Sequence, residues 1–335
     1  MKQAAVPVKI RTITAGKLRR YHDIAWHKQL LHWPTLSRNF IDIVKTFIGV
    51  CQSFWLIGRQ RPDVVFAKGG YVSLPIGLAA HIWRIPLVVH DSDARPGLTN
   101  RILSRWASAI ALGFPSEHRY SKNKPAVYVG VPIDAAYHPL ERSEQRQAKA
   151  DIGVVDIDKP LVVVTGGGLG SRDINEAMTL IGPELLARSV GVYHVTGKTH
   201  IDEVSAKAPR HADYHIVPFV YKDMAKVLGA ADVVVSRASA TFIQELAALA
   251  KPAIIIPSAS LSDQVKNAEQ LSTNGAAVVL SDKQLKDQPD ILLDWIVKIT
   301  TDNQIARELS RKLLRHARPN AALDTAKLIL NAAEQ

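Results

Sequence analysis

The sequence predicts an α/β protein made of two doubly wound, parallel-sheet domains. Three observations predict it. Short apolar runs of strand length alternate with helical stretches from about residue 60 onward. A chain of 335 residues is long enough for two cores rather than one. Two of the strand runs lead straight into turns of small residues followed by helical patterns, at Thr165–Ser171 and Ser236–Glu245.

The elements follow in order from the patterning. Asp63-Val-Val-Phe-Ala67 is an apolar run closed by Lys68-Gly-Gly70, and residues 75–83 have helical spacing. Pro86-Leu-Val-Val-His90 reads as a buried strand, and 107–113 and 126–129 as two more. Residues 139–159 are charged and are expected to hold a helix and a linker. Strands are then expected at 161–164, 191–195, 215–217, 232–235, 253–256 and 276–280, with helices between them. This divides the chain into an N-terminal domain over 1–138, a linker region over 139–159 and a C-terminal domain over 160–318. A terminal helix over 319–335 is placed to pack back on the N-domain. Lys9-Ile-Arg-Thr-Ile13 has strand composition but leads only to Ala15-Gly16, where a doubly wound domain normally has a Gly-rich turn.

Composition narrows the function. The single cysteine, Cys51, excludes an internal disulfide framework, which accords with a reducing cytoplasmic compartment. No apolar h-region follows the basic N-terminus. Phe40–Gly58 is the most span-like segment, but it contains Asp42, Lys45 and Gln52. Its apolar residues recur at Phe40, Ile43, Val44, Phe47, Cys51, Phe54 and Trp55, so it is expected to be a packed amphipathic helix. The net charge of +11 is lopsided: residues 1–135 hold 19 basic and 7 acidic side chains, residues 136–335 hold 23 and 24. Around residues 17–38 the excess is interleaved with bulky apolar groups: Lys17, Arg19, Arg20, Tyr21, Trp26, Lys28, Leu30, Leu31, Trp33 and Arg38. That mixture suits an anionic membrane surface, and no nucleic-acid motif accompanies it.

Four segments carry chemistry. Thr165-Gly-Gly-Gly-Leu-Gly-Ser171 lies between a strand and a helix, where glycines admit a phosphate to the backbone and to the positive helix end; it lacks the Gly-Lys-Ser/Thr of a Walker loop. Ser236-Arg-Ala-Ser-Ala-Thr-Phe-Ile-Gln-Glu245 offers a second helix start and a carboxylate able to accept from both hydroxyls of a ribose. Ser262-Asp-Gln-Val-Lys-Asn267 follows a strand and presents amides of the kind that read sugar hydroxyls. His90-Asp-Ser-Asp-Ala-Arg-Pro-Gly-Leu-Thr-Asn100 carries two carboxylates and a histidine, but no further ligands at metal spacing, so no metal site is expected and His90 is expected to make a buried hydrogen bond.

In this order and spacing the segments resemble the MurG family, glycosyltransferase family 28. Its members add N-acetylglucosamine to a lipid-linked muramoyl-pentapeptide. The resemblance runs from about Arg61 to the C-terminus. Lys68-Gly-Gly-Tyr-Val-Ser73, His90–Asn100 and Gly166–Asn175 are similar to family loops, and Phe219-Val220 with Asp223-Met224 to the segment whose backbone reads uracil. The resemblance implies a GT-B fold of two Rossmann-like domains and an inverting transfer without covalent intermediate, cofactor or obligatory metal. The donor, UDP-N-acetylglucosamine, would meet Gly167, Gly168, Gly170, Asn175, Val220, Ala240, Thr241, Phe242, Glu245, Gln264 and Asn267. The undecaprenyl-linked acceptor would face Gly69, Gly70, Tyr71, Asp91, Asp93 and Asn100, with Asp91 as an acceptor contact. The expected place of work is the cytoplasmic face of the cell membrane, held peripherally.

Departures from the family pattern bear on affinity and sugar choice. Gly168 replaces a hydroxyl residue, Asp134 an arginine, Ala238-Ser239 a Ser-Gly pair, Asp91 a glutamate and Asp93 an asparagine. The family's opening strand and Gly-Gly-Thr-Gly-Gly-His loop, source of its proposed general base, have no counterpart here, so no catalytic residue is assigned. The N-terminal domain is therefore expected to miss its first strand-turn-helix unit through a late start codon, a fragment boundary or a second polypeptide. Two other functions stay open: a lipid glycosyltransferase of the diacylglycerol type, and a non-catalytic UDP-sugar-binding subunit that needs a partner chain.

Overall fold

The computed structural model describes residues 8–16, 33–115 and 126–334. Lys17 through Leu31 of the basic-aromatic segment lie outside the described residues, as do the side chains of Trp33 and Arg38. The chain forms two compact units. The first comprises residues 1–91, 96–128 and 323–335, and the second 92–95 and 129–322.

The first unit opens with a helix, α1 (Trp33–Gln60), followed by β1 (Val65–Ala67), α2 (Ser73–Ile82), β2 (Leu87–Asp91), α3 (Leu98–Leu103), β3 (Ala109–Leu112) and β4 (Ala126–Tyr128). The strands form a parallel sheet in the order β1-β2-β3-β4. Strand β2 is buried at all five positions, which explains its unbroken apolar run. One core packs Ile57 of α1, Ala79 and Ala80 of α2 and Leu103 of α3 against Leu87, Val89 and Ile110. A smaller one sets Ala332, Leu328 and Ile329 of the terminal helix, α13 (Ala321–Ala333), against Val88 and Ala109. Residues 9–13 join no ladder, so the strand expected there is not formed among the described residues.

Helix α1 corrects the expectation of packed apolar residues. Its inward line is Asp42, Gly49, Ser53 and Ile57, all buried. Small residues there let α1 lie close to its neighbours: a side chain on Gly49 would meet the Thr14 carbonyl and Pro75, and one on Gly58 the Trp83 ring. Trp83 stacks on Phe54 at 4.9 Å and donates its indole N–H to the Phe54 carbonyl at 2.9 Å. The apolar stripe points outward instead, with Phe40, Phe47 and Trp55 each about two-thirds exposed. Phe40–Gln60 is long and apolar enough to cross a membrane by length and composition.

The second unit runs α4 (Arg142–Asp151), β5 (Leu161–Thr165), α5 (Arg172–Ala187), β6 (Gly191–Val195), α6 (Ile201–Lys207), β7 (Tyr214–Val217), α7 (Met224–Ala230), β8 (Val233–Ser236), α8 (Ala240–Ala248), β9 (Ala253–Ile255), α9 (Ser262–Thr273) and β10 (Val278–Val279). Three more helices close it, α10 (Asp282–Asp287), α11 (Asp290–Thr301) and α12 (Asn303–Leu314). Its parallel sheet has the order β10-β9-β8-β5-β6-β7. Strand order reverses between β5 and β8, the switch point outside whose carboxyl ends open sheets of this kind bind ligands.

The stretch 139–159 is not a free linker. Helix α4 starts with a capping box between Glu141 and Glu144 and is bolted to the sheet by buried polar bonds. Lys149 Nζ meets the Asp232 carboxylate at 2.7 Å, and Gln145 donates to the carbonyls of Ala230 and Ala231. A second lysine, Lys251, is buried near this pair, and burial pushes its pKa down to about 8.

Candidate functional site

At the switch point β5 delivers the loop Gly166–Gly170 to the start of α5. A side chain on Gly166 would collide with the Ser171 amide, while one on Gly167 would meet nothing within 4 Å. The loop is therefore tight at its base and open above. Ser171 caps α5 by accepting from the Ile174 amide, leaving the first helical N–H groups pointing at the loop. A diphosphate finds there backbone donors and the positive helix end together.

Beside it, β8 delivers a second helix start. Ser239 caps α8 by accepting from the Phe242 amide, and Ala240, Thr241 and Phe242 form the first turn. Arg237 ties the two starts together. Its guanidinium donates to Ser171 Oγ at 2.7 Å and to the Ile256 carbonyl at 3.0 Å, and it pairs with Asp282 at 2.5 Å. The motif containing Arg237 is visible in sequence, but the residue's anchoring role needs the fold, because Ser171 and Asp282 are remote along the chain.

Glu245 lies in the second turn of α8 and is half-buried. Burial pushes its carboxyl up to about 7, opposed by a hydrogen bond from the Tyr137 hydroxyl. Burial, and then the Glu245 charge, push the Tyr137 phenol well above its usual value. Tyr137 lines a groove of about 740 Å³ with Tyr221 and Met224, next to the Val220 segment expected to read a base. Sequence reasoning missed Tyr137, since no spacing rule links it to Glu245. It also missed Gln244, a buried amide that accepts from the Val131 amide at 3.5 Å and donates to the His316 carbonyl at 3.1 Å.

Three expected contacts, two on the donor side and one on the acceptor side, are hydrogen-bonded within the fold. Asn175 is 3% exposed, donates to the Thr196 carbonyl and bonds the buried His194 ring at 2.9 Å, so it braces α5 against β6. Burial holds His194 neutral, its pKa lowered to about 4. Asn267 is fully buried: it accepts from the Ala94 amide at 2.8 Å and donates to Asp93 at 2.9 Å and to the Ala238 carbonyl at 3.1 Å. It fastens the Ser92–Arg95 segment, whose Asp93 is the third of these residues. Burial raises the Asp93 carboxyl, opposed by its hydrogen bond from Asn267. Gln264 accepts from the Ser258 amide at 3.0 Å through its Oε1 and is half-buried at the start of α9.

In the first unit, Gly69, Gly70 and Tyr71 form the turn between β1 and α2. Both glycines have positive φ, 83° and 76°, which side-chain-bearing residues rarely adopt. Ser73 Oγ closes the turn onto the Gly69 carbonyl at 2.5 Å, and Tyr71 is left exposed. Asn100 packs beneath Gly69 and donates to the His90 carbonyl at 3.3 Å. Asp91, at the end of β2, is 3% exposed. Among the described residues no cluster of three or more His, Cys, Asp or Glu is arranged to hold a metal.

Two Rossmann-like units, the second with a Gly-rich loop and a half-buried acid beside its switch point, define a protein of the GT-B class. The comparisons specify it further. The description "Glycosyltransferase family 28 C-terminal domain" matches residues 161–324, and "Glycosyltransferase family 28 N-terminal domain" matches residues 4–112. A Clostridium kluyveri protein is 34% identical over 299 residues, 87% of this chain and 77% of the relative. It is named UDP-N-acetylglucosamine--N-acetylmuramyl-(pentapeptide) pyrophosphoryl-undecaprenol N-acetylglucosamine transferase. A Geobacillus kaustophilus protein of the same name is 36% identical over 284 residues, covering 83% of this chain and 72% of its own length. Among solved structures, Acinetobacter baumannii MurG superposes with a TM-score of 0.68 at 26% identity, over 87% of this chain and 79% of that one. A UDP complex of S. aureus MnaA, 13% identical with a TM-score of 0.63, shares the fold. The chain belongs to glycosyltransferase family 28 and is a MurG-type glycosyltransferase.

Proposed function

We propose that this chain transfers N-acetylglucosamine from UDP-N-acetylglucosamine to an undecaprenyl-diphospho-muramoyl-pentapeptide, a step of peptidoglycan synthesis. The observation that carries the reading is the convergence, at one switch point, of the open Gly166–Gly170 loop, the α8 start and the half-buried Glu245. The relatives bearing that activity in their names supply the acceptor.

The acceptor hydroxyl attacks the anomeric carbon as UDP departs. Negative charge grows on the diphosphate, and the loop amides with the α5 start stabilise it more in the transition state than in the ground state. Glu245 accepts from the ribose hydroxyls, and Val220 presents backbone to the base. Gly167, Gly168, Gly170, Ala240, Thr241, Phe242 and Gln264 complete the donor side, and Gly69, Gly70 and Tyr71 serve the acceptor. The exposed stripe of α1, bordered by Lys45 and Arg59, rests on the anionic inner surface of the cell membrane and brings the enzyme to its lipid substrate.

Calorimetric titration with UDP tests the donor site. The wild-type chain binds UDP, and Glu245→Ala weakens binding about tenfold, the effect of losing a hydrogen bond to a charged group. A wild-type chain giving no uridine-dependent heat would remove the assignment. Transfer of labelled N-acetylglucosamine to the lipid acceptor, absent with UDP-glucose as donor, tests the reaction itself.

A further inference from the structure

The donor reading leaves one charged group beside the loop unexplained. The turn Gly197–Lys198 leaves β6 and packs backbone against backbone on the Gly-rich loop. A side chain on Gly197 would come within 2.6 Å of the Leu169 carbonyl and of Gly170 Cα, and one on Gly170 would strike the Thr196 carbonyl. Lys198 is thereby fixed at the loop's margin. Its side chain is exposed, and no carboxylate among the described residues pairs with it. Its ammonium lies over two rings instead, 5.2 Å from the centre of Phe219 and 4.7 Å from that of Tyr221. Phe219 is also the ring that borders the loop, with Cε2 3.9 Å from where a side chain on Gly168 would begin.

Two other nearby cations are engaged. Arg237 serves Asp282, Ser171 and the Ile256 carbonyl, and Lys286 pairs with Asp173 at 3.0 Å. Arg172 shares a small cleft with Glu176 and Glu203. Within the loop the Gly167 amide already donates to Thr165 Oγ1 at 3.1 Å, and residues 166–170 carry no side-chain hydroxyl of their own.

We propose that Lys198 is the diphosphate-binding cation of this donor site, stored on the Phe219–Tyr221 ring pair and moving onto the phosphates of a bound nucleoside diphosphate sugar. The inference rests on the donor reading above. An exposed cation–π contact is a weak hold, readily exchanged for a charge-assisted bond to phosphate. A compact ammonium on a flexible stem suits that movement, and it neutralises the leaving group where Gly168 provides no hydroxyl.

The test is calorimetric titration of the full chain with UDP and, separately, with uridine, at low and moderate salt. Lys198→Gln weakens UDP binding about tenfold, the loss of one charge-assisted bond, and leaves uridine binding unchanged. Lys198→Arg restores most of the UDP affinity, and salt weakens UDP binding to the wild type more steeply than to Lys198→Gln. Equal losses for UDP and uridine would make Lys198 a prop for the two rings and overturn the proposal. So would UDP binding unchanged in Lys198→Gln. A wild-type chain that binds neither ligand would overturn the donor reading, and this inference with it.

Discussion

Helices α1 and α5 carry apolar stripes of the same helical period and end in opposite environments. In α5 the stripe turns inward, and Ile174, Met178, Ile181 and Leu185 are at most 2% exposed among the valines of β5 and β6. In α1 the inward line is Asp42, Gly49, Ser53 and Ile57, and Phe40, Phe47 and Trp55 face out. Periodicity locates an apolar face. It does not say what that face meets, which depends on how small the residues of the opposite face are and on what else the chain brings against it. The contrast also separates roles: α5 holds the anion cradle in place, whereas α1 presents a surface.

The largest expected effect tests this difference through stability. Met178→Ala removes a fully buried side chain and is expected to cost about 3 kcal/mol in urea unfolding. Phe47→Ala, on the outward stripe, is expected to change stability by less than about 0.5 kcal/mol. Comparable losses at both positions would mean that the α1 stripe is covered in the folded protein, and the contrast would collapse.

The next effect sharpens it. Phe47→Ser combined with Trp55→Ser is expected to lower binding to anionic phospholipid vesicles about tenfold or more while leaving the urea midpoint in place. Unchanged sedimentation with vesicles would detach the stripe from the membrane, and lost stability would assign it to a protein contact.

The same contrast shows how much was legible in sequence. The ten strands among the described residues were, most of them because buried parallel strands such as Leu161–Thr165 are unbroken apolar runs. The Gly166–Gly170 loop was legible because local backbone chemistry fixes its position between strand and helix. The internal bonds of Asn175 and Asn267 were not legible. A motif places an amide near a ligand, but only the fold reveals that His194, Thr196, Ala94 and Asp93 occupy its hydrogen bonds first. Tyr137 was invisible for the complementary reason: its partner Glu245 is far along the chain, and nothing local marks a residue that a distant carboxylate needs. The outward turn of α1 could not be read either, since the moment of a helix is the same whichever way it faces.

The smallest effect concerns pH, and it places Glu245 on the buried side of the comparison. Burial raises its carboxyl from an ordinary 4.5 to about 7, so between those values the folded protein holds a proton that the unfolded chain has lost. This group's contribution to stability is therefore greatest below about pH 4.5 and falls as pH rises through 7. Glu245→Gln cannot ionise, so relative to wild type it is expected to gain on the order of 1 kcal/mol between pH 5 and pH 8, less than full burial would give because the group is partly solvated. Function responds in the opposite sense. The ionised carboxylate is the better acceptor for ribose hydroxyls, so UDP affinity in the wild type is expected to rise from pH 6 to pH 8 and to stay level in Glu245→Gln. Tyr137→Phe removes the donor that favours the charged form, which moves the rise to higher pH. A Tyr137→Phe protein whose affinity turned over at the wild-type pH would show that burial alone sets Glu245, and would leave Tyr137 as a wall of the groove rather than a partner of the acid.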